Sequence, residues 1–119
     1  MPKTLITGGA GFIGFHLSRS LADQGHKVTI LDNFARGEED REFKELIERE
    51  NVYFLKADIT KPDVFDDLNE EFDYVYHLAM INGTRNFYNI PDKVLKVGIM
   101  GTINVLDWFV KQKRGKLLF

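Results

Sequence analysis

Gly8, Gly11 and Gly14 stand three apart directly after the apolar pair Leu5-Ile6, and Asp32 closes a second apolar run, Val28-Thr29-Ile30-Leu31. These residue types at these spacings can hold a dinucleotide. Gly8 can take the angles of a tight turn that a Cβ would forbid. Gly11 leaves room for a pyrophosphate beside the backbone, and Gly14 lets the following helix pack close to the strand. The start of that helix offers unpaired N–H groups and a partial positive charge to the phosphates. Asp32, roughly 20 residues past the glycines, is placed to hydrogen-bond the adenosine ribose hydroxyls. The plainer alternative is a turn of architectural use with Asp32 as a chance loop acid, and the surrounding elements decide between the two.

Those elements alternate. Lys3 to Ile6 reads as a strand, and Phe12, Ile13, Leu17 and Leu21 recur as the apolar side of an amphipathic helix that Gly25 stops. The strand ending at Asp32 leads into a loop, Asn33-Phe34-Ala35-Arg36-Gly37. A charged helix follows from about Asp40 to Arg49, with Phe43, Leu46 and Ile47 on its inner face. Val52 to Leu55 is a third strand. Thr60 reads as the N-cap of a short helix with Pro62 just inside it. Asp73 to Ala79 is a fourth strand, Met80 to Pro91 a loop, Asp92 to Lys113 a long helix, and Lys116 to Phe119 the start of a fifth strand. Strands alternating with helices imply an α/β, doubly wound parallel sheet of Rossmann type. Right-handed crossovers put its strands in the order 3-2-1-4-5.

The chain has 119 residues, one domain's worth, with 44% apolar and 29% charged residues. Its net charge of −2 supplies no basic field for nucleic acid. The charges from Arg36 to Arg49 mix both signs, as a solvated helix face does. There is no cysteine, and His16, His26 and His77 show no metal-ligand spacing. No apolar run approaches the roughly 20 residues of a membrane span. Met1-Pro2-Lys3 runs straight into a strand without a signal peptide, so the expected location is cytoplasmic.

Taken together, Thr7-Gly8-Gly9-Ala10-Gly11-Phe12-Ile13-Gly14, Leu31-Asp32-Asn33, Ala57-Asp58-Ile59, His77-Leu78-Ala79 and Gly101-Thr102-Ile103-Asn104-Val105-Leu106 resemble the extended short-chain dehydrogenase/reductase family. Within it the resemblance is to nucleotide-sugar epimerases and dehydratases, and it covers nearly the whole chain. The resemblance implies that Gly8, Gly11, Phe12 and Ile13 contact the pyrophosphate, with Gly14 in the same turn. It implies that Asp32 holds the adenine ribose with Asn33 beside it, that Asp58 and Ile59 meet the adenine ring, and that Leu78 and Ala79 line the nicotinamide end. His77 at the strand end is architectural on this reading, and no residue of the chain is assigned a catalytic role. A carboxylate at 32 pairs with a free 2′-hydroxyl and repels a 2′-phosphate, which favours NAD over NADP, with Arg36 near enough in sequence to offset that repulsion. Arg85, in the loop after the fourth strand, is a candidate for a substrate phosphate or simply a solvated arginine. One departure stands out: Gly98 occupies the long-helix position where the family usually places an asparagine.

The family's chemistry also needs a serine or threonine after the fifth strand and a tyrosine followed four positions on by a lysine. Four positions beyond Tyr53, Tyr74, Tyr76 and Tyr88 stand Ala57, Leu78, Met80 and Asp92. Residues 1–119 therefore read as a dinucleotide-binding domain, incomplete after the fifth strand and without a substrate domain. Such a chain is expected to bind cofactor and not to turn over a nucleotide-sugar by itself. A stand-alone nucleotide-binding module and one half of a split enzyme are the competing readings. The long helix, apolar around most of its circumference, is expected to be buried on more than one side. One face would lie on the sheet, and the other, or the edge strand 116–119, would pair two copies into a homodimer or higher oligomer.

Overall fold

A computed structural model describes residues 1–33, 40–68, 70–81 and 84–119. Five strands form one parallel sheet: β1 (Lys3–Thr7), β2 (Lys27–Asp32), β3 (Val52–Lys56), β4 (Tyr74–His77) and β5 (Lys116–Leu118). Their order is β3-β2-β1-β4-β5, as expected. The helices are α1 (Phe12–Asp23), α2 (Arg41–Ile47), α3 (Thr84–Asn89) and α4 (Pro91–Phe109), with a 3₁₀ turn at Pro62–Asp67. β1 and β2 are covered on both faces, so their residues are apolar or small without a polar side. Ile6, Val28 and Ile30 face α1 and α2, where Phe15, Leu21, Phe43 and Leu46 close one core. Leu5, Leu31 and Val75 face the opposite layer, where Phe65, Phe72 and Val105 close the other.

Several expectations shift. The inner face of α1 is Gly14, Phe15, Ser18, Leu21 and Ala22, while Phe12 and Ile13 stay 82% and 69% exposed. They sit in the first turn, beyond the end of the strands, where no sheet lies beneath them. Asp40 caps α2 by accepting from Phe43 N–H at 2.8 Å, and of the three inner residues Phe43 and Leu46 are fully buried while Ile47 is half-buried. The N-cap before Pro62 is Lys61 rather than Thr60, because Thr60 directs its hydroxyl back to Asp58. The fourth strand is shorter than expected: its ladder to β5 ends at Tyr76 and its ladder to β1 at His77.

The segment after β4 is not all loop: Thr84–Asn89 is the helix α3, which buries no residue and so carries no apolar period to announce it. The long helix ends at Phe109, not Lys113. Only Gly101 and Val105 of α4 are fully buried; Leu95, Ile99, Met100, Ile103 and Leu106 remain exposed. Its expected second buried face is therefore bare among the described residues. The loop Phe34-Ala35-Arg36-Gly37 and the pair Asn82-Gly83 lie outside the described residues.

Candidate functional site

Where β1 ends, the chain turns sharply at Gly8, whose φ of +76° belongs to glycine. A Cβ there would stand 2.8 Å from the Ala79 nitrogen, so the turn lies directly on the exit of β4. Gly8 N–H donates to the Leu31 carbonyl at 2.7 Å, which carries the β1–β2 pairing one residue past the strand. Gly11 N–H donates to the Gly8 carbonyl at 3.1 Å and closes the turn. A Cβ on Gly14 would overlap the Gly8 carbonyl and approach Gly9 Cα to 2.8 Å. The close approach that requires Gly14 is thus to the glycine turn itself, not to the strand.

Gly11 is the N-cap of α1, and no side chain among the described residues caps that end; its first turn holds no acid either. The leading N–H groups of a helix lack intrahelical acceptors and concentrate about half a positive charge. Opposite them stands Asp32, whose Oδ2 accepts from Ala10 N–H at 2.9 Å. That bond ties the glycine turn to the end of β2 and aims the carboxylate across the turn. Asp58, after β3, accepts at Oδ1 from Thr60 N–H at 3.0 Å and from Thr60 Oγ1 at 2.7 Å, which holds its side chain in a local turn. Ile59 is fixed from α4: Asn104 Nδ2 donates to its carbonyl at 2.8 Å, and Gly101 leaves space for its side chain.

These residues enclose one cavity of about 590 Å³ across the carboxyl ends of β3, β2, β1 and β4. It lies beside the junction where the strand order reverses, which is where open α/β sheets hold their ligands. All of Gly8, Gly11, Phe12, Ile13, Gly14, Asp32, Asn33, Asp58, Ile59, Leu78 and Ala79 line it. Leu31, Ala57, His77, Met80, Ile81, Val97 and Phe119 line it as well. Met80 and Val97 lay outside the sequence expectation, because they reach the cavity only through the fold, while Ile81 opens the loop expected to offer substrate-side contacts. Arg85 is exposed on α3 and is not among the lining residues. Among the described lining residues there is no lysine or arginine, and the groups they offer an anion are backbone N–H groups and a helix dipole.

His77 is 2% exposed at the back of the cavity. Its Nδ1 lies 2.7 Å from Thr7 Oγ1 and its Nε2 3.1 Å from Thr102 Oγ1. Burial holds the imidazole below its ordinary pKa, so it is neutral near pH 7. Both ring nitrogens are engaged by protein groups. Among the described residues there is no cluster of three metal-ligating side chains, and no helix is long and apolar enough to cross a membrane.

A parallel sheet in this order, with a glycine turn feeding an uncapped helix, defines a Rossmann-type domain. The pattern describing the NAD dependent epimerase/dehydratase family matches residues 4–119, and the chain belongs to that family. It is 40% identical over 104 residues to UDP-glucuronic acid decarboxylase 1 of Danio rerio, covering 87% of this chain and 23% of that protein. Among solved structures, epimerase Mth375 of Methanothermobacter thermautotrophicus superposes with a TM-score of 0.87 at 34% identity, over 98% of this chain and 34% of that one. The Thermus thermophilus UDP-glucose 4-epimerase, solved with NAD, gives a TM-score of 0.83 at 29% identity, over 98% and 36%. The chain thus spans about a quarter to a third of the relatives it matches. The relatives include a decarboxylase, where the resemblance had implied epimerases and dehydratases.

Proposed function

We propose that this chain is the NAD-holding part of an enzyme that acts on a nucleotide-sugar. The observation that carries the reading is the convergence of eleven residues spread along the chain from Gly8 to Ala79 on one cavity. The cavity also fits the cofactor chemically. The Cβ position of Gly11 is open except for the Gly8 oxygen at 3.4 Å, leaving a cradle beside the uncapped start of α1. There the pyrophosphate would meet N–H donors. Asp32 would accept from the adenine ribose with Asn33 adjacent, Asp58 and Ile59 would take the adenine, and Leu78 and Ala79 the nicotinamide end. When bound, the nicotinamide supplies a reversible hydride acceptor. The chain's own part is to hold the dinucleotide across the strand ends and keep water from its apolar wall of Leu78, Ala79, Ile81 and Val97.

Residues 1–119 form a dinucleotide-binding domain on this reading, and the proton-transfer residues and substrate domain lie outside them. The isolated chain would bind cofactor without turning over a nucleotide-sugar. The bare apolar stripe of α4, Leu95, Ile99, Ile103 and Leu106, supports pairing of two copies through that helix. The same reading carries a cytoplasmic location, where cell fractionation would find the chain. Calorimetric titration of the 119-residue chain tests the central part. The expected result is one NAD site, with NADP at least about tenfold weaker because a 2′-phosphate would face the Asp32 carboxylate. Tight NADP binding without NAD binding would overturn it.

A further inference from the structure

Thr7 is the last residue of β1, fully buried, and pairs across the sheet with His77 of β4. Its hydroxyl has three neighbours. Leu78 N–H points at Oγ1 from 3.1 Å, shared with the Thr7 carbonyl at 3.0 Å, and Ala79 N–H points at it from 3.2 Å. A hydroxyl has two acceptor lone pairs and one proton. With both lone pairs facing N–H donors, the proton is left for the third neighbour, His77 Nδ1 at 2.7 Å. An Nδ1–H tautomer would crowd a third donor onto that oxygen and strand the hydroxyl proton in a fully buried site, at the cost of an unmet hydrogen bond.

The consequence runs through the ring. If Nδ1 accepts, the neutral imidazole carries its hydrogen on Nε2, and that hydrogen faces Thr102 Oγ1 of α4 at 3.1 Å. One hydroxyl in β1 therefore orders the exit of β4, the ring and a contact to α4 in a single direction. The two N–H groups it receives belong to Leu78 and Ala79, and a Cβ on Gly8 would come within 2.9 Å of both of those residues. The exit of β4 and the glycine turn are thereby held at one separation.

We propose that Thr7 is a positioning residue: it locks His77 as the neutral Nε2–H tautomer and, through Leu78, Ala79 and Thr102, sets the width of the cavity between the glycine turn and the exit of β4. The effect on ligand affinity rests on the NAD reading above; the tautomer does not.

Long-range proton–nitrogen correlation spectra of the 119-residue chain read the tautomer directly. The expected spectrum shows His77 with a hydrogen on Nε2 and an unprotonated, hydrogen-bonded Nδ1. Thr7→Val removes the hydrogen-bond displacement of the Nδ1 signal and weakens NAD about tenfold, a loss on the scale of one buried hydrogen bond. Thr7→Ser restores both. If Thr7→Val does not fold, Thr102→Val decides: it leaves the Nδ1 signal in place and moves only that of Nε2–H. A hydrogen on His77 Nδ1 in the unaltered chain, or an unchanged Nδ1 signal in folded Thr7→Val, would overturn the proposal. The Nε2–H tautomer in a chain with no affinity for NAD would uphold the lock and overturn the cofactor reading instead.

Discussion

At the end of the sheet where β1, β2 and β4 begin, Lys3 and Lys27 both reach Glu70 Oε2, at 3.2 and 2.9 Å, and Asp73 accepts from Lys3 N–H at 2.8 Å and from Arg114. Lys27 also lies over the Tyr53 ring, 4.9 Å from its centroid. At the opposite end, where the strands finish, the described lining of the cavity holds the carboxylates of Asp32 and Asp58, the start of an uncapped helix and no basic side chain. The first end satisfies its charges within the chain. The second, among the described residues, leaves the start of α1 without a side-chain cap and keeps Asp32 and Asp58 in the same cavity. A region whose polar groups close on one another has little to offer a ligand, whereas donors held in place without acceptors are what an anion needs.

Breaking the ligand end should have the largest effect. Gly14→Val drives a side chain into the Gly8 carbonyl, so it should cost about 2–4 kcal/mol in chemical denaturation and abolish NAD binding. Asp32→Asn keeps an oxygen for Ala10 N–H but removes the charge. Calorimetry should show NAD weakened about tenfold, with stability lowered by about 1 kcal/mol or less.

The self-satisfied end should respond with small changes in stability and none in binding. Burial raises the Glu70 carboxyl, but hydrogen bonds from Lys27 and Lys3 outweigh it and hold the folded pKa below the ordinary 4.5. The unfolded chain therefore binds the proton first, and this contribution is present above about pH 4.5 and lost as pH falls below it. Glu70→Gln should flatten that acid limb of the stability profile. It should cost only about 0.5–1 kcal/mol at neutral pH, since the group is partly exposed. His77 adds a second limb of the same sign. Its folded pKa lies below 6.5 through burial, so stability is complete above that value and declines as pH falls beneath it. The smallest effect expected is a gain: Gly98 lies within α4 with nothing near its Cβ position, so Gly98→Ala should add about 1 kcal/mol and leave NAD affinity unchanged.

The ligand end was legible in the sequence because its signals are local. Three glycines after an apolar run and an acid closing the next strand are read within about 30 residues of chain. The sheet order followed from the alternation of elements together with right-handed crossovers. What stayed hidden depends on contacts between distant residues or on segments without a period. Thr7 meets His77 only because β1 and β4 pair in one register, 70 positions apart. Thr60 has the residue type of a helix cap, yet Asp58, two positions earlier, takes both of its donors. Met80 and Val97 reach the cavity only through the folded packing of the segment after β4 and of α4. The opposite side of α4 shows the limit most plainly. Its apolar residues announced burial, but Leu95, Ile99 and Ile103 stay exposed in the packing of the described residues.

Amide resonances of the chain followed through an NAD titration test the contrast between the two ends most directly. The largest shifts are expected at Gly11, Phe12, Ile13 and Gly14, smaller ones at Asp32, Asp58 and Ala79, and none at Lys3, Lys27, Glu70 or Asp73. Shifts centred on Lys3, Lys27 and Glu70, or a titration that leaves the Gly11–Gly14 amides unmoved, would contradict it.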